Sequence, residues 1–189
     1  MVTGFFLFLI SLFYFQIDKF SEYLLQFNSI SSKLIIDSII SSKNIELIRI
    51  FTSHLFHKDL HHYLLNSIGL ISQGIILENY FGKKSNLLYF KVFVYLMFFS
   101  SVISTLINYL IFTIFENQSF YISHYSGLSS VLFGLQFIYF YITSRKFYTS
   151  LFRVLIYIIY ANLFVRDGSF LTNYSGLISG VVVTKVLDL

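Results

Sequence analysis

Tyr125-Ser126-Gly127-Leu128-Ser129-Ser130-Val131 opens an apolar stretch that continues to residue 143, and it carries a small-flanked serine into a segment of membrane length. A hydroxyl in hydrocarbon has no solvent to bond, so Ser129 is expected to face other helices and not lipid. Ser130 and Gly134 lie four residues apart and form a small-xxx-small face, on which a second backbone can come close. Gly176 and Gly180 repeat that device near the C-terminus. Packing the two faces together predicts that Ser129 comes near Thr172 and Asn173, one turn before Gly176.

Outward from this segment the chain is apolar throughout. Of its 189 residues, 56% are hydrophobic and 12% charged, and the mean hydropathy is +0.74. A soluble domain carries about twice that share of charge. The composition implies a polytopic membrane protein whose first partner is the lipid bilayer. At ~20 residues a span, the chain holds about six spans and no separate soluble domain. Cysteine is absent, which excludes disulfides and thiolate metal sites. A net charge of +4 from scattered basic residues leaves no footprint for nucleic acid.

The expected spans are 3–25, 60–77, 87–115, 127–143, 147–165 and 170–186, in one all-α membrane domain over 1–189. The first lacks a basic leader and a small-residue cleavage site, so it reads as a retained span and not a signal peptide. Residues 26–58 mix Ser, Lys, Asp and Ile, and read as a long luminal connection lying on or in one leaflet. Short loops set the orientation. Lys83 and Lys84 follow the second span and Arg145 and Lys146 the fourth, whereas the loop after the third carries only Glu116. The positive-inside rule then puts both basic loops and both termini in the cytosol. Asn117-Gln118-Ser119, a glycosylation sequon, falls on the opposite side.

His62 and Asn66, four residues apart on the second span, share one helix face. By themselves they read equally well as a hydrogen bond between helices. His54, His57, His61 and His62 cluster in sequence, but no carboxylate of the HExxH kind completes a zinc site. No metal or other cofactor is expected.

Five motifs run through the chain in order: Arg49-Ile50-Phe51-Thr52 with His57, His62-xxx-Asn66, Glu78-xxx-Gly82, Gly127-Leu128-Ser129-Ser130, and Asn173-xx-Gly176-xxx-Gly180. Together, over residues 45–185, they resemble the rhomboid family of intramembrane serine proteases. Three positions depart from the family pattern. Ile48 stands where tryptophan is usual, Ser130 replaces the second glycine of Gly-x-Ser-Gly, and Asn173 occupies the place of the last-helix histidine.

The resemblance implies a six-helix rhomboid bundle, with Arg49, Glu78, Gly82, Gly127, Gly176 and Gly180 in structural roles. It makes Ser129 the nucleophile position and His62 and Asn66 the donors to the oxyanion. The compact layout, with His57-Lys58-Asp59 and Leu77-Glu78, is most similar to the endoplasmic-reticulum rhomboids, which implies a membrane of the secretory pathway. Those relatives recruit a degradation ATPase through a cytosolic tail, for which this chain is expected to end too soon after its sixth span.

In the family the histidine accepts the serine proton during attack, a task suited to an imidazole with a pKa of about 6.5. A carboxamide is not basic, and the chain has no histidine beyond His124. Loss of the base costs a soluble serine protease about 10⁶ in turnover. The expectation is therefore a pseudoprotease that binds transmembrane segments of client proteins. The alternative is an active intramembrane serine endopeptidase with a relocated base, for instance His124 folded inward. A transporter would call for an inverted repeat and an intramembrane carboxylate, and neither is seen. The extra hydroxymethyl of Ser130 is the milder departure, with two outcomes open: it is tolerated at a close helix contact, or it crowds the cavity or shifts the nucleophile. Asn173 is expected to face Ser129.

Overall fold

The computed structural model describes residues 1–28, 48–57, 59–83, 85–116, 127–164 and 170–189. Among them are seven helices and no strand: α1 (Val2–Asn28), α2 (Arg49–Thr52), α3 (Leu60–Gly82), α4 (Asn86–Phe115), α5 (Ser129–Ser144), α6 (Phe147–Phe164) and α7 (Phe170–Val186). The all-α expectation holds. The sequon, His124, Arg166 and most of the connection 26–58 lie outside the described residues.

Local chemistry sets the helix ends. The Asp59 carboxylate accepts the His62 amide at 2.8 Å and starts α3. Ser85 caps α4 by accepting from Leu87 N–H at 3.2 Å. Such caps satisfy donors that the first helical turn leaves unpaired. Glu116 and Arg145 end α4 and α5 in the left-handed region, at φ 52° and 55°. The α3 helix runs past the expected end of its span at residue 77, because neither Glu78 nor any later residue breaks it before Lys83.

By length and apolarity, one described helix can cross a membrane unaided, Leu87–Phe115. Val2–Phe15, Ser129–Ser144 and Phe147–Leu163 are apolar but shorter. Large apolar side chains such as Ile68, Ile75, Phe152 and Ile159 are exposed around the outside, a surface suited to lipid.

The close approach of α5 and α7 organises the bundle. A Cβ on Gly176 would overlap the Ser130 backbone, and one on Gly180 would lie 2.7 Å from the Gly134 carbonyl oxygen. The pairing of Ser130 with Gly176 and of Gly134 with Gly180 makes the two helices parallel. The small-xxx-small faces therefore meet as expected. On its other side α7 packs against α4. The α3 helix also runs parallel to α5, with Gly69 against Leu132 and Tyr80 OH accepting from Arg145 Nη2 at 3.2 Å. The α1 helix returns antiparallel along α3. Its Ser11 meets Tyr63 at 2.8 Å, and its amides of Val2 and Thr3 bond Glu78 at 2.6 and 3.0 Å. The N-terminal ammonium pairs with the same carboxylate. Met1, Glu78, Gly82, Lys83, Arg145 and the C-terminal end of α7 thus share one end of the bundle, and Ser129 lies toward the other.

Candidate functional site

Ser129 is the first residue of α5, and the turn before it is fixed by contacts from two directions. Gly127 has φ +101°, a conformation that favours glycine. A Cβ there would also lie 2.5 Å from the His62 ring, so glycine is required by both backbone and space. Gly127 N–H donates to the Ser53 carbonyl at 2.8 Å, and Leu128 N–H to His57 Nε2 at 3.5 Å. Leu128 offers no side-chain cap. Segment 53–57 supplies the partners for the start of α5 in its place. The first-turn N–H groups of a helix have no intrahelical acceptor, so Ser129 sits at a partly positive helix end.

Ser129, Asn173, His62 and Asn66 line one cavity of about 260 Å³, together with Gln73 and Gln136. The four positions singled out from the motifs therefore line one cavity, but no hydrogen bond joins Asn173 to Ser129. Asn173 is 4% exposed and faces the bundle interior. Its Nδ2 donates to Asn162 Oδ1 at 3.1 Å, while its Oδ1 is buried without a partner. Sequence reasoning missed Asn162, the acceptor on α6 that holds the Asn173 amide. Asn66 is also buried, with Nδ2 unpaired. The chain thus sets a serine and a carboxamide on adjacent parallel helices, with an imidazole and a second carboxamide on α3 opposite them.

The remaining motif positions lie around this cavity. Arg49 is buried at the start of α2, and Gly176 and Gly180 hold α7 against α5. Glu78 and Gly82 lie at the far end of α3, where Glu78 fastens α1.

For Ser130, the first of the two open outcomes fits the structure. Its side chain is fully buried and turns away from the cavity, toward α4, where it meets Ser100 Oγ at 3.3 Å and His54 Nδ1 at 3.5 Å. The hydroxymethyl does not crowd Ser129, because a polar niche receives it. His54 Nε2 bonds the Met97 carbonyl and Ser101 Oγ, both at 2.9 Å. Ser101 gives its own proton to the Ile50 carbonyl at 2.9 Å. Nε2 therefore carries the hydrogen, and Nδ1 lies 3.5 Å from Ser130 Oγ and 3.4 Å from the Gly127 carbonyl oxygen. The Ser100-Ser101 pair, which interrupts an apolar span, was the available signal for this niche.

Burial takes His54 down to about 4, against the Met97 and Gly127 carbonyls that favour the charged ring. Burial takes His57 down to about 3, with added repulsion from His62. Both folded values lie below the unfolded 6.5, so the unfolded chain binds more protons across the interval. Their contribution is complete above about pH 6.5 and is lost as pH falls toward 4. Between pH 7.5 and 5, unfolding in detergent is expected to become easier by about 2 kcal/mol per histidine. A denaturation midpoint that is flat across this range would contradict the buried, neutral assignment.

A family profile described as the Rhomboid domain matches residues 44–188. The chain belongs to the rhomboid family. No curated protein matches it at a significant level. Family membership makes this rhomboid an integral membrane protein, and the family acts on transmembrane segments within the bilayer. The matched region contains α2 to α7 and all the residues that line the cavity.

Proposed function

We propose that this rhomboid is a six-span pseudoprotease that holds transmembrane segments of client proteins without cutting them. The observation that carries the reading is that Asn173, in the family's base position, lines the same cavity as Ser129 with its amide tied to Asn162. A carboxamide cannot take the serine proton, so the hydroxyl has no activating partner there. Two further features support binding. The α3 and α6 helices both line the cavity yet, among the described residues, do not pack closely on each other, which leaves a seam for an apolar segment to enter. Leu65 and Tyr157, which line the cavity from these two helices, are exposed.

A second reading has one observation in its favour. His62, an imidazole, lines the same cavity and packs against Gly127, two residues before Ser129. If His62 served as base, the chain would be an intramembrane serine endopeptidase. The family pattern gives that ring to the oxyanion, and one ring cannot serve both tasks in one step.

Lys83, Arg145, Lys146 and both ends of the chain share one end of the bundle, which supports a cytosolic placement for them. The endoplasmic-reticulum assignment rests on likeness to that branch of the family. Photo-crosslinking tests the binding reading: a diazirine-bearing single-span peptide is incubated with purified protein in lipid nanodiscs. An adduct with intact peptide, retained in Ser129→Ala, is expected. No adduct at all, or fragments that vanish in Ser129→Ala, would overturn the reading.

A further inference from the structure

Two carboxamides outside every motif lie deeper in the cavity. Gln136 follows Ser129 by seven residues and Gln73 follows Asn66 by seven, two turns in each case, so each pair shares a helix face. Gly69 packs on Leu132 between parallel helices. Gln73 and Gln136, each four residues further on, therefore stand at one level, about 10 Å below Ser129. Both line the cavity, and Gln136 is 9% exposed. Gln73 Oε1, Asn66 Nδ2 and Asn173 Oδ1 are buried with no partner. Such unpaired atoms are costly, and both a donor and two acceptors are left over. The described lining contains no carboxylate, lysine or arginine.

We propose that the lower cavity is a specificity site for a neutral hydrogen-bonding side chain, above all a carboxamide, carried by a client's transmembrane segment. The inference rests on the client-binding reading. A carboxamide donates and accepts at once, so its N–H₂ can meet Gln73 Oε1 while its carbonyl meets the Gln136 side-chain N–H₂ at the same level. An apolar residue leaves both unmet. A lysine or aspartate brings a charge to a wall that has no opposite charge to pair with it.

The test uses the full chain in lipid nanodiscs and single-span polyleucine peptides carrying Asn, Leu, Lys or Asp about 10 Å below the level of Ser129. Affinities are read by energy transfer. The Asn peptide is expected to bind about three- to tenfold more tightly than the Leu peptide, and the Lys and Asp peptides more weakly than the Asn one. Gln73→Leu is expected to reduce the Asn peptide to the affinity of the Leu peptide while leaving the latter unchanged. Gln136→Glu is expected to transfer the preference to the Lys peptide. Unfolding midpoints confirm that each variant is folded, and Gln73→Leu, at a half-buried position, carries the test if Gln136 variants fail to fold. Equal affinity for all four peptides would mean that water alone fills the site, which overturns this inference and leaves client binding intact. If no peptide binds, both fall.

Discussion

Gly176→Val is expected to abolish the native bundle. The Gly176 Cα faces the Ser130 backbone so closely that even a methyl group would overlap main-chain atoms, which have no rotamer to retreat into. Relief requires α7 to move off α5, and that would open the Gly180–Gly134 contact four residues on and disturb the packing of α7 against α4 as well. Overpacking in a tight interior costs about 1–3 kcal/mol when side chains can adjust, and a backbone clash lies at or beyond the top of that range. The variant is expected to aggregate in detergent or to unfold far below the wild-type midpoint. Gly4→Ala provides the contrast, since nothing lies within 4 Å of a Cβ there, and it should match wild type. A Gly176→Val protein with the wild-type midpoint would mean that the two helices do not cross as described.

Asn173→His has the largest expected effect on chemistry. The substitution places an imidazole on the wall that Ser129 also lines. Asn162 Oδ1, which now accepts from Asn173 Nδ2 at 3.1 Å, is positioned to accept from a ring N–H and so to orient the other nitrogen. That third group completes the arrangement of nucleophile, base and orienting partner. Ser129-dependent cleavage of a single-span reporter is expected to rise by about 10³-fold or more, within the ~10⁶ that a missing base costs in a soluble serine protease. The rate should climb with pH through the imidazole range near 6.5. Asn173→Gln should gain nothing, and Ser129→Ala in the histidine background should remove the gain. A gain that survives Ser129→Ala would place the chemistry elsewhere.

The helix positions were legible in the sequence because apolar runs broken by charged or turn residues leave few alternatives. Ser130-xxx-Gly134 and Gly176-xxx-Gly180 were legible as a contact because small residues at four-residue spacing have one main use in a bilayer. That contact carries Asn173 to the Ser129 cavity, so the convergence of the site followed from local pattern. Other features depend on which helices face each other, which no local pattern encodes. Asn162 lies on a different helix from Asn173, and only the packing of α6 on α7 joins them. The His54 niche draws on α4, α5 and the segment after α2, across separations of 43 to 76 residues. Without that niche in view, the hydroxymethyl of Ser130 could only be weighed as added bulk. Gln73 and Gln136 had a signal, a polar residue two turns from another on one face of an apolar helix, but the signal gained meaning only once the faces met.

The most direct measurement of the central claim is reaction of the wild-type protein, purified in lipid nanodiscs, with a serine-reactive fluorophosphonate, run beside Ser129→Ala and Asn173→His. A hydroxyl without a base should leave wild type labelled no more than Ser129→Ala, with Asn173→His labelled strongly. Labelling of wild type at Ser129, lost in Ser129→Ala and matched by cleavage of a single-span reporter, would show that a proton acceptor serves this serine after all.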